Sequence, residues 1–390
     1  METADVVVIG GGVMGTSIAF NLTRRRAGRV VLLEKNTVCS GTSAKSSAIV
    51  RTHYTTRPTA QMALLARGIF ERWADEVGGE SGFVRTGMLF IGPPESRDRV
   101  ERTLRMNQEV GIEASLIGPA EVRELSPHIR VPEGAAVVYE PRSGYGSPHE
   151  VASSFARRFT ELGGELRQSA PVTAIDTHGG RVRSVRTPRE EIAAAHVVIA
   201  AGPWARPVGR LAGMDLPVTP SRESIVTLRP TFDWSPHHPV TGDLRNEVYL
   251  RPETGGLILV GNTRDTIEHG DPDSYEDRPT ADHTTEILTR LARLMPDAAT
   301  AAITGGWSGM YEVSPDWNPI MGTVSGVAGL HYAVGFSGHG FKLSPVVGIL
   351  MAEQILHGRA RTVDITPYRL ERFQEGQELR VAYQGAGVMG

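Results

Sequence analysis

The stretch DVVVIGGGVMG, residues 5–15, runs from an apolar segment directly into a glycine-rich turn and decides the fold. The turn fits GxGxxG, and the pattern of a helix follows it. Gly10 allows the tight turn, Gly12 lets a phosphate approach the backbone, and Gly15 lets the helix pack close to the strand. The stretch therefore predicts a βαβ unit whose helix amino terminus binds the pyrophosphate of a dinucleotide.

A second strand, expected at residues 29–33, ends next to the acidic residue Glu34. Glu34 lies about 20 residues beyond the glycine turn, where an acidic side chain accepts hydrogen bonds from ribose hydroxyls and disfavours a 2′-phosphate. Lys35, beside it, is a candidate cofactor contact or a solvated charge at the strand end. The turn and Glu34 do not distinguish NAD from FAD, because both bind through the same pyrophosphate contacts.

A loop of small and hydroxyl-bearing residues, 41–51 (GTSAKSSAIVR), leaves the second strand and favours FAD. Its hydroxyls and backbone N–H groups could surround an isoalloxazine ring and its phosphates, for which an NAD enzyme has no evident use. The candidate contacts in this loop are Ser43, Lys45, Ser46 and Ser47. Two further segments, 196–204 and 335–342, are glycine-bearing strand ends that point back to the same site.

The remaining pattern predicts two domains that alternate along the chain. Strands expected at 172–175, 181–186 and 196–201 return to the nucleotide sheet, and alternating segments between about 205 and 300 indicate an antiparallel sheet. Helices are expected at 60–77 (with Leu65 on the buried face), 150–162, 284–294 and 345–357. The predicted fold is α/β, or α+β overall, with a Rossmann-type FAD-binding domain (1–80, 146–215, 306–384), an interleaved antiparallel-sheet substrate domain (81–145, 216–305) and a flexible tail (385–390).

Composition excludes several classes of protein. Among 390 residues the net charge is −3, which offers no electrostatic basis for binding nucleic acid. The longest apolar runs fall far short of the roughly 18 residues that would span a bilayer. The single cysteine, Cys39, forms no internal disulfide, in agreement with a cytoplasmic location. No metal site is expected, since the adjacent His237 and His238 cannot share a helical face.

These segments together resemble the D-amino-acid oxidase superfamily, and within it the branch of sarcosine oxidase and dimethylglycine dehydrogenase. The resemblance covers nearly the whole chain. It rests on the glycine turn with Glu34 and on the segments AIVR (48–51), AAGPW (200–204), MYEVSPD (310–316) and GFSGHGFK (335–342). The last of these is the most specific.

The resemblance implies that Arg51 and Lys342 hold the substrate carboxylate, that Tyr311 lines the substrate side and that Val172 packs near the adenine. A forked guanidinium and a point ammonium can together orient and neutralise one carboxylate. Only three of the 41 basic residues are lysines, so Lys342 stands out. His339 is a candidate catalytic residue or a hydrogen-bonding partner of the backbone. The candidate cofactor contacts are Gly10, Gly12, Val13, Met14, Gly15, Glu34, Lys35, Ser43, Lys45, Ser46, Ser47, Val172, Ala201, Gly202, Trp204, Gly338, Gly340, Phe341 and Lys342.

Two features depart from the family pattern. Members with covalently bound flavin carry a cysteine just before the Met-Tyr pair, where this chain has Gly309, or a histidine in the early loop, where it has Lys45, Ser46 and Ser47. FAD is therefore expected to bind noncovalently. The oxygen-activating lysine of monomeric sarcosine oxidases lies on a strand resembling residues 256–260, which are apolar here. Whether O2 or another carrier accepts the electrons stays open.

These inferences predict FAD-dependent oxidation of the C–N bond of a small amino acid with a secondary, N-methyl, cyclic or primary amine. Hydride transfer to flavin N5 would give an imine that water hydrolyses, with Arg51, Lys342, Tyr311 and His339 as catalytic candidates. Two alternatives stay open. One is an FAD-dependent 2-hydroxy acid dehydrogenase, and the other is a noncatalytic flavin or electron-transfer subunit of a larger complex.

Overall fold

The computed structural model describes residues 2–379, and the tail expected at 385–390 lies outside them. The strands within this range are β1 Glu2–Ile9, β2 Val30–Leu33, β3 Ile49–Val50, β4 Val84–Arg85, β5 Met88–Gly92, β6 Ser115–Ile117, β7 Ala136–Glu140, β8 Gly144–Tyr145, β9 Glu165–Arg167, β10 Ala174–Thr177, β11 Val182–Arg186, β12 Glu191–Ile199, β13 Thr219–Arg229, β14 Val240–Asp243, β15 Val248–Glu253, β16 Leu257–Asn262, β17 Ala302–Val313, β18 Ile320–Thr323 and β19 Leu330–Val334. The α-helices are α1 Val13–Arg24, α2 Arg57–Glu71, α3 Trp73–Glu76, α4 Arg97–Val110, α5 Pro119–Leu125, α6 Pro148–Glu161, α7 Ala205–Arg210, α8 Ala281–Leu294 and α9 Gly340–His357.

The first sheet is the predicted nucleotide-binding sheet. Its strands run β10-β11-β12-β1-β2-β9, with β19 beside β12 and β18 beside β19, and its central strands pair in parallel. Val6 and Val8 of β1 enter the core beneath α1, α6 and α9, whereas Val7 and Ile9 enter the core on the opposite face. Consecutive apolar residues are what a parallel strand covered on both faces requires. The Rossmann-type part of the fold prediction is confirmed.

The second sheet runs β17-β13-β16-β15-β14-β5-β7-β6. Its pairs are antiparallel except for β14 and β5, so the sheet expected to be antiparallel is mixed at that one position. The exception arises because β5 and β14 come from distant parts of the chain, and no hairpin joins them. Helix α8 covers the face that carries Leu250, and Tyr249 lies on the opposite face. That second face is turned toward the first sheet.

The two sheets draw on alternating parts of the chain, in agreement with an interleaved fold. Strand β17 spans residues 302–313 and so continues across the boundary expected at 305/306. A small third sheet consists of β3, β8 and β4, which occur where the chain passes from one of the larger sheets to the other. Its strand β3 ends at Val50, immediately before Arg51. Among residues 2–379, no helix is both long and apolar enough to cross a bilayer.

The helix expected at 60–77 is two helices, α2 and α3, separated at Arg72. Leu65 was expected on the buried face, but it is 40% exposed. The residues that pack inward are Met62, Ala66, Ile69 and Phe70. Their spacing of four, seven and eight residues from Met62 defines one helical stripe, from which Leu65 is displaced.

Helix α9 begins at Gly340, five residues before the expected start at Pro345. A proline lacks the N–H that would bond to the carbonyl four residues earlier. Here the Ser344 hydroxyl donates to the Phe341 carbonyl oxygen at 2.9 Å, which satisfies that acceptor. The helix can therefore include Pro345, and Lys342 lies in its first turn. The strand expected at 172–175 is also shifted, since β10 begins at Ala174 and Val172 precedes it.

Candidate active site

A cavity of about 720 Å³ lies between the carboxyl ends of the parallel strands and the open face of the second sheet. Ligands of α/β sheets bind at this edge, where the turns after the strands meet. The cavity wall combines the glycine turn after β1, the residues after β2 and β12, loop 41–47, and parts of β13, β15 and β17. The lining differs between its two ends. Phosphate-binding groups lie at one end, and tyrosine and carboxyl side chains lie at the other.

The glycine turn can only be built from glycines. Gly10 has a φ of +114°, and a Cβ there would lie 2.4 Å from the Ala200 carbonyl oxygen. A Cβ on Gly15 would lie 1.8 Å from the Gly10 carbonyl oxygen, so Gly15 supports the packing of α1 and does not itself line the cavity. The Val13 backbone N–H donates to Ser43 Oγ at 3.2 Å. Loop 41–47 thus meets the positive end of α1, where a phosphate would bind.

Glu34 lines the cavity beside the glycine turn. Its carboxylate accepts the backbone N–H of Gly11 at 2.6 Å and that of Asn36 at 2.8 Å, which fixes its orientation. Lys35 forms an ion pair with Asp273 at 2.6 Å and lies 3.8 Å from the centre of the Trp204 ring. Lys35 therefore links the residues after β2 to a loop of the second domain across this end of the cavity.

Most of the predicted site residues do line this cavity. Those in its wall are Gly10, Gly12, Val13, Met14, Glu34, Lys35, Ser43, Lys45, Ser46, Ser47, Val172, Ala201, Gly202, Trp204, Tyr311, Gly338, Gly340 and Phe341. Four predicted residues are not part of the wall: Gly15, Arg51, His339 and Lys342. The last three are buried directly behind it, at the end where Tyr311 lies.

Strand β3, which ends at Val50, packs against α9, so Arg51 and Lys342 lie close together although 291 positions separate them in the sequence. Arg51 is 2% exposed and Lys342 is 6% exposed. Burial lowers the pKa of Lys342 well below its usual value, and the nearby charge of Arg51 lowers it further. Within residues 2–379, no carboxylate is at salt-bridge distance from the Lys342 ammonium, which donates to the Gly338 carbonyl oxygen at 3.4 Å. Two buried cations in one place form a site suited to an anion.

The Arg51 guanidinium is positioned by its neighbours. It donates to the His53 carbonyl oxygen and lies 4.3 Å from the centre of the Tyr54 ring. The Tyr54 hydroxyl in turn bonds to Nδ1 of His339 at 3.1 Å. His339 thus contacts the tyrosine that stacks on Arg51, and it is not among the residues of the cavity wall.

Tyr311 lies in the cavity wall against the loop that precedes α9. A Cβ on Gly338, whose φ is +87°, would lie 2.7 Å from Tyr311 Cε2. Burial raises the pKa of Tyr311 well above its usual value, the charge of Glu223 raises it as well, and the charge of Arg51 lowers it. Tyr311 is therefore a neutral phenol.

The positions that carry covalent flavin links in the resembled family face each other in this chain. A Cβ on Gly309 would lie 2.6 Å from Cβ of Lys45. Lys45 packs over the glycine, and both residues line the cavity. Neither side chain is the cysteine or histidine that forms such a link.

Four further residues at this site were missed by sequence reasoning: Glu223, Tyr249, Asn262 and Glu312. Burial raises the pKa of Glu223 to about 8 and that of Glu312 to about 7. Glu312 accepts the Gly335 backbone N–H at 3.1 Å and so fixes the loop before α9. Glu223 was overlooked because the strand was expected to begin at Ser224, whereas β13 begins at Thr219. The signal that could have identified it is an acidic side chain two residues before the apolar Ile225, within the segment that forms β13.

The cavity, with a phosphate-binding glycine turn at one end and buried cations at the other, defines a dinucleotide-dependent oxidoreductase of flavoprotein type. The family model described as "FAD dependent oxidoreductase" matches residues 5–354, and the chain belongs to this family. FAD is its cofactor. The glycines that leave no room for a side chain, Glu34 and the amino terminus of α1 fit the adenosine and pyrophosphate of that group.

Among curated proteins, glycine oxidase of Geobacillus kaustophilus is 28% identical in an alignment of 385 positions that covers 94% of this chain and 97% of that protein. Mitochondrial sarcosine dehydrogenase of Homo sapiens is 28% identical over 95% of this chain, but the chain spans only 42% of its length. The crystal structure of L-proline dehydrogenase from P. horikoshii has a TM-score of 0.89 and 27% identity, covering 97% of this chain and all of that one. The predicted branch of the superfamily is confirmed.

Proposed function

We propose that this protein oxidises the C–N bond of a small amino acid to the corresponding imine. The observation that carries the proposal is the pair of buried cations, Arg51 and Lys342, behind the wall of the FAD-binding cavity. A buried ammonium without an acidic partner is costly, and the carboxylate of a ligand would compensate it. A carboxylate bound here would hold the neighbouring carbon at the end of the cavity where Tyr311 lies, beside the flavin ring.

Relatives from separate comparisons support the same chemistry. Their names specify glycine, sarcosine and L-proline, which carry a primary, an N-methyl and a cyclic amine respectively. The shared element of these compounds is a carboxylate one carbon away from an amine. A site that holds the carboxylate and leaves the amine open to variation would suit this class.

The residues of this chain are proposed to act mainly by positioning. Arg51 and Lys342 would bind and orient the carboxylate, Tyr311 would close the side of the site, and His339 would keep Arg51 in place through Tyr54. When bound, FAD supplies the acceptor for the hydride that leaves the carbon next to the neutral amine. Water would then hydrolyse the imine. No nucleophile of the protein is required for this sequence.

The test is an anaerobic screen of the purified holoenzyme with glycine, N-methyl, cyclic and D-amino acids and with 2-hydroxy acids. Bleaching of the flavin absorbance by an amino acid, with release of ammonia, amine or aldehyde, is the expected result. Bleaching by hydroxy acids alone would replace the proposal with 2-hydroxy acid oxidation. Absence of bleaching by every compound would indicate a noncatalytic flavin subunit. Where an amino acid does bleach the flavin, oxygen uptake by the reduced enzyme would identify an oxidase.

We also propose that FAD is held noncovalently, because Gly309 and the loop of Lys45, Ser46 and Ser47 offer no cysteine or histidine for a link. Acid precipitation should leave the yellow colour in the supernatant. Flavin that stays with the precipitated protein would refute this part of the proposal.

A further inference from the structure

Glu223 is a half-buried acidic residue in the cavity wall that the proposed chemistry does not yet use. It lies on β13 opposite Gly309 of β17, and both residues line the cavity. The carboxyl accepts Asn262 Nδ2 at 3.2 Å and the Ser221 hydroxyl at 3.3 Å. These two neutral donors orient the group without neutralising a charge on it.

No cation of the described chain is at salt-bridge distance from the Glu223 carboxyl. Burial raises its pKa to about 8, the charge of Glu268 raises it, and the charge of Arg264 and the two hydrogen bonds lower it. Tyr249 and Tyr311 line the same part of the cavity, and their phenols are neutral because burial raises both pKa values. A carboxyl that is partly shielded from water and has neutral neighbours is stabilised as an anion when a cation joins it.

Tyr311 connects Glu223 to the carboxylate site. Tyr311 of β17 pairs with Ser221 of β13, whose hydroxyl bonds to the Glu223 carboxyl, and Tyr311 and Glu223 both line the cavity. The Tyr311 ring also contacts Gly338, whose carbonyl oxygen accepts the Lys342 ammonium. The charges of Glu223 and Arg51 accordingly change the pKa of Tyr311 in opposite directions. A ligand that is complementary to both has an anion and a cation a short distance apart, which is the charge pattern of a zwitterionic amino acid.

We propose that Glu223 binds the ammonium group of the substrate while Arg51 and Lys342 bind its carboxylate, and that the ammonium passes one proton to the Glu223 carboxylate before the hydride leaves, which gives the neutral amine that the reaction needs. This inference rests on the proposed function and adds a specificity-determining residue to it. Two aromatic faces beside the carboxylate, those of Tyr249 and Tyr311, would also favour a cation over a neutral group of the same shape. Glu223 would thereby select amino acids over 2-hydroxy acids, which lack the positive charge.

The test compares two ligands of nearly identical shape that the enzyme cannot oxidise by this chemistry. Trimethylammonioacetate carries a fixed positive charge, and 3,3-dimethylbutanoate has carbon in place of that nitrogen. Dissociation constants are measured with the holoenzyme from the perturbation of flavin absorbance, at about pH 9, where Glu223 is ionised. Each is determined for the wild type, for Glu223→Gln, which keeps the shape of the side chain, and for Glu268→Gln. Glu268 is an exposed acid nearby that does not line the cavity.

The affinity of the zwitterion relative to the neutral-tailed acid should fall about tenfold or more in Glu223→Gln. It should stay within about twofold of wild type in Glu268→Gln, because exposed charges are screened. An unchanged ratio in Glu223→Gln, with 3,3-dimethylbutanoate still bound, would overturn the role of Glu223 and leave the carboxylate site intact. Failure of both acids to bind the wild type would instead refute the carboxylate site, and with it the proposed function.

Discussion

Gly338 and Tyr311 are in such close contact that the glycine determines where the tyrosine ring lies. A methyl group on Gly338 would lie 2.7 Å from Cε2 of Tyr311, and the φ of +87° at this glycine already excludes most side chains. The loop before α9 and strand β17 therefore meet without space between them. Lys342, four residues later, has its position fixed by the same loop, because its ammonium donates to the Gly338 carbonyl oxygen.

Gly338→Ala should lower kcat/KM about tenfold or more, because a shift of the loop displaces both Tyr311 and Lys342 from the bound acid. Gly358→Ala is the matched control. Gly358 also has a positive φ, +74°, but nothing lies within 4 Å of its Cβ position. That variant should cost about 1 kcal/mol of folding free energy and keep its activity. Steady-state kinetics and thermal unfolding of both variants check this, and equal activities would contradict it.

Arg51→Lys should raise KM for the amino acid by about 10- to 100-fold while the flavin content stays at the wild-type value. Lysine keeps the charge but loses the fork that binds two carboxylate oxygens. Arg57→Lys, at an exposed arginine paired with Glu109, serves as the control and should behave as wild type. The prediction is abandoned if Arg51→Lys loses its flavin while KM is unaltered.

Lys342→Met should unfold at the same or a higher temperature than the wild-type holoenzyme when no ligand is present. The substitution removes a buried ammonium whose pKa is lowered by burial and by Arg51, and replaces it with an apolar chain of similar length. The same variant should lose the stabilisation that a carboxylate ligand gives the wild type. Thermal unfolding with and without 3,3-dimethylbutanoate measures both effects. A variant that is strongly destabilised and still stabilised by the acid would show that Lys342 has a structural role only.

Glu223 should make the unliganded protein less stable as pH rises from about 5 to about 8. Its pKa is raised from 4.5 to about 8, so between these values the folded chain binds more protons than the unfolded chain. Folding stability then falls with increasing pH. Because Glu312, with a pKa of about 7, acts in the same direction, the comparison must be between wild type and Glu223→Gln. The melting temperature of Glu223→Gln minus that of wild type should increase as pH rises from about 5 to about 8. A difference that is the same at every pH would show that Glu223 does not titrate in this range.

The sequence was sufficient for the nucleotide-binding part of the fold because each step there has a local cause. Val6 to Ile9 are apolar on both faces, the glycine turn has no alternative residues, and Glu34 lies at the end of β2. The fold differed from the prediction where contacts between distant parts of the chain determine the structure. The parallel pairing of β14 with β5 joins segments about 150 residues apart, and no local pattern encodes such a pair.

The same distinction applies to the site. Arg51 and Lys342 were expected to meet because each belongs to a recognisable segment, and the structure brings these two segments together. Their role in binding a carboxylate stays a prediction. Glu223 could not be predicted, since its importance comes from its place opposite Gly309 on the neighbouring strand and from the cavity wall that it shares with Tyr311. Such relationships exist only after β13 and β17 have paired.

The central claim is that two buried cations, Arg51 and Lys342, hold the substrate by its carboxylate beside the flavin. Anaerobic titration of the holoenzyme with a substrate amino acid and with its carboxamide tests this most directly, because the amide keeps the amine and the reactive C–H but lacks the negative charge. The account predicts that the acid bleaches the flavin and that the amide needs a concentration at least about 100-fold higher. Bleaching at equal concentrations of both compounds would contradict it.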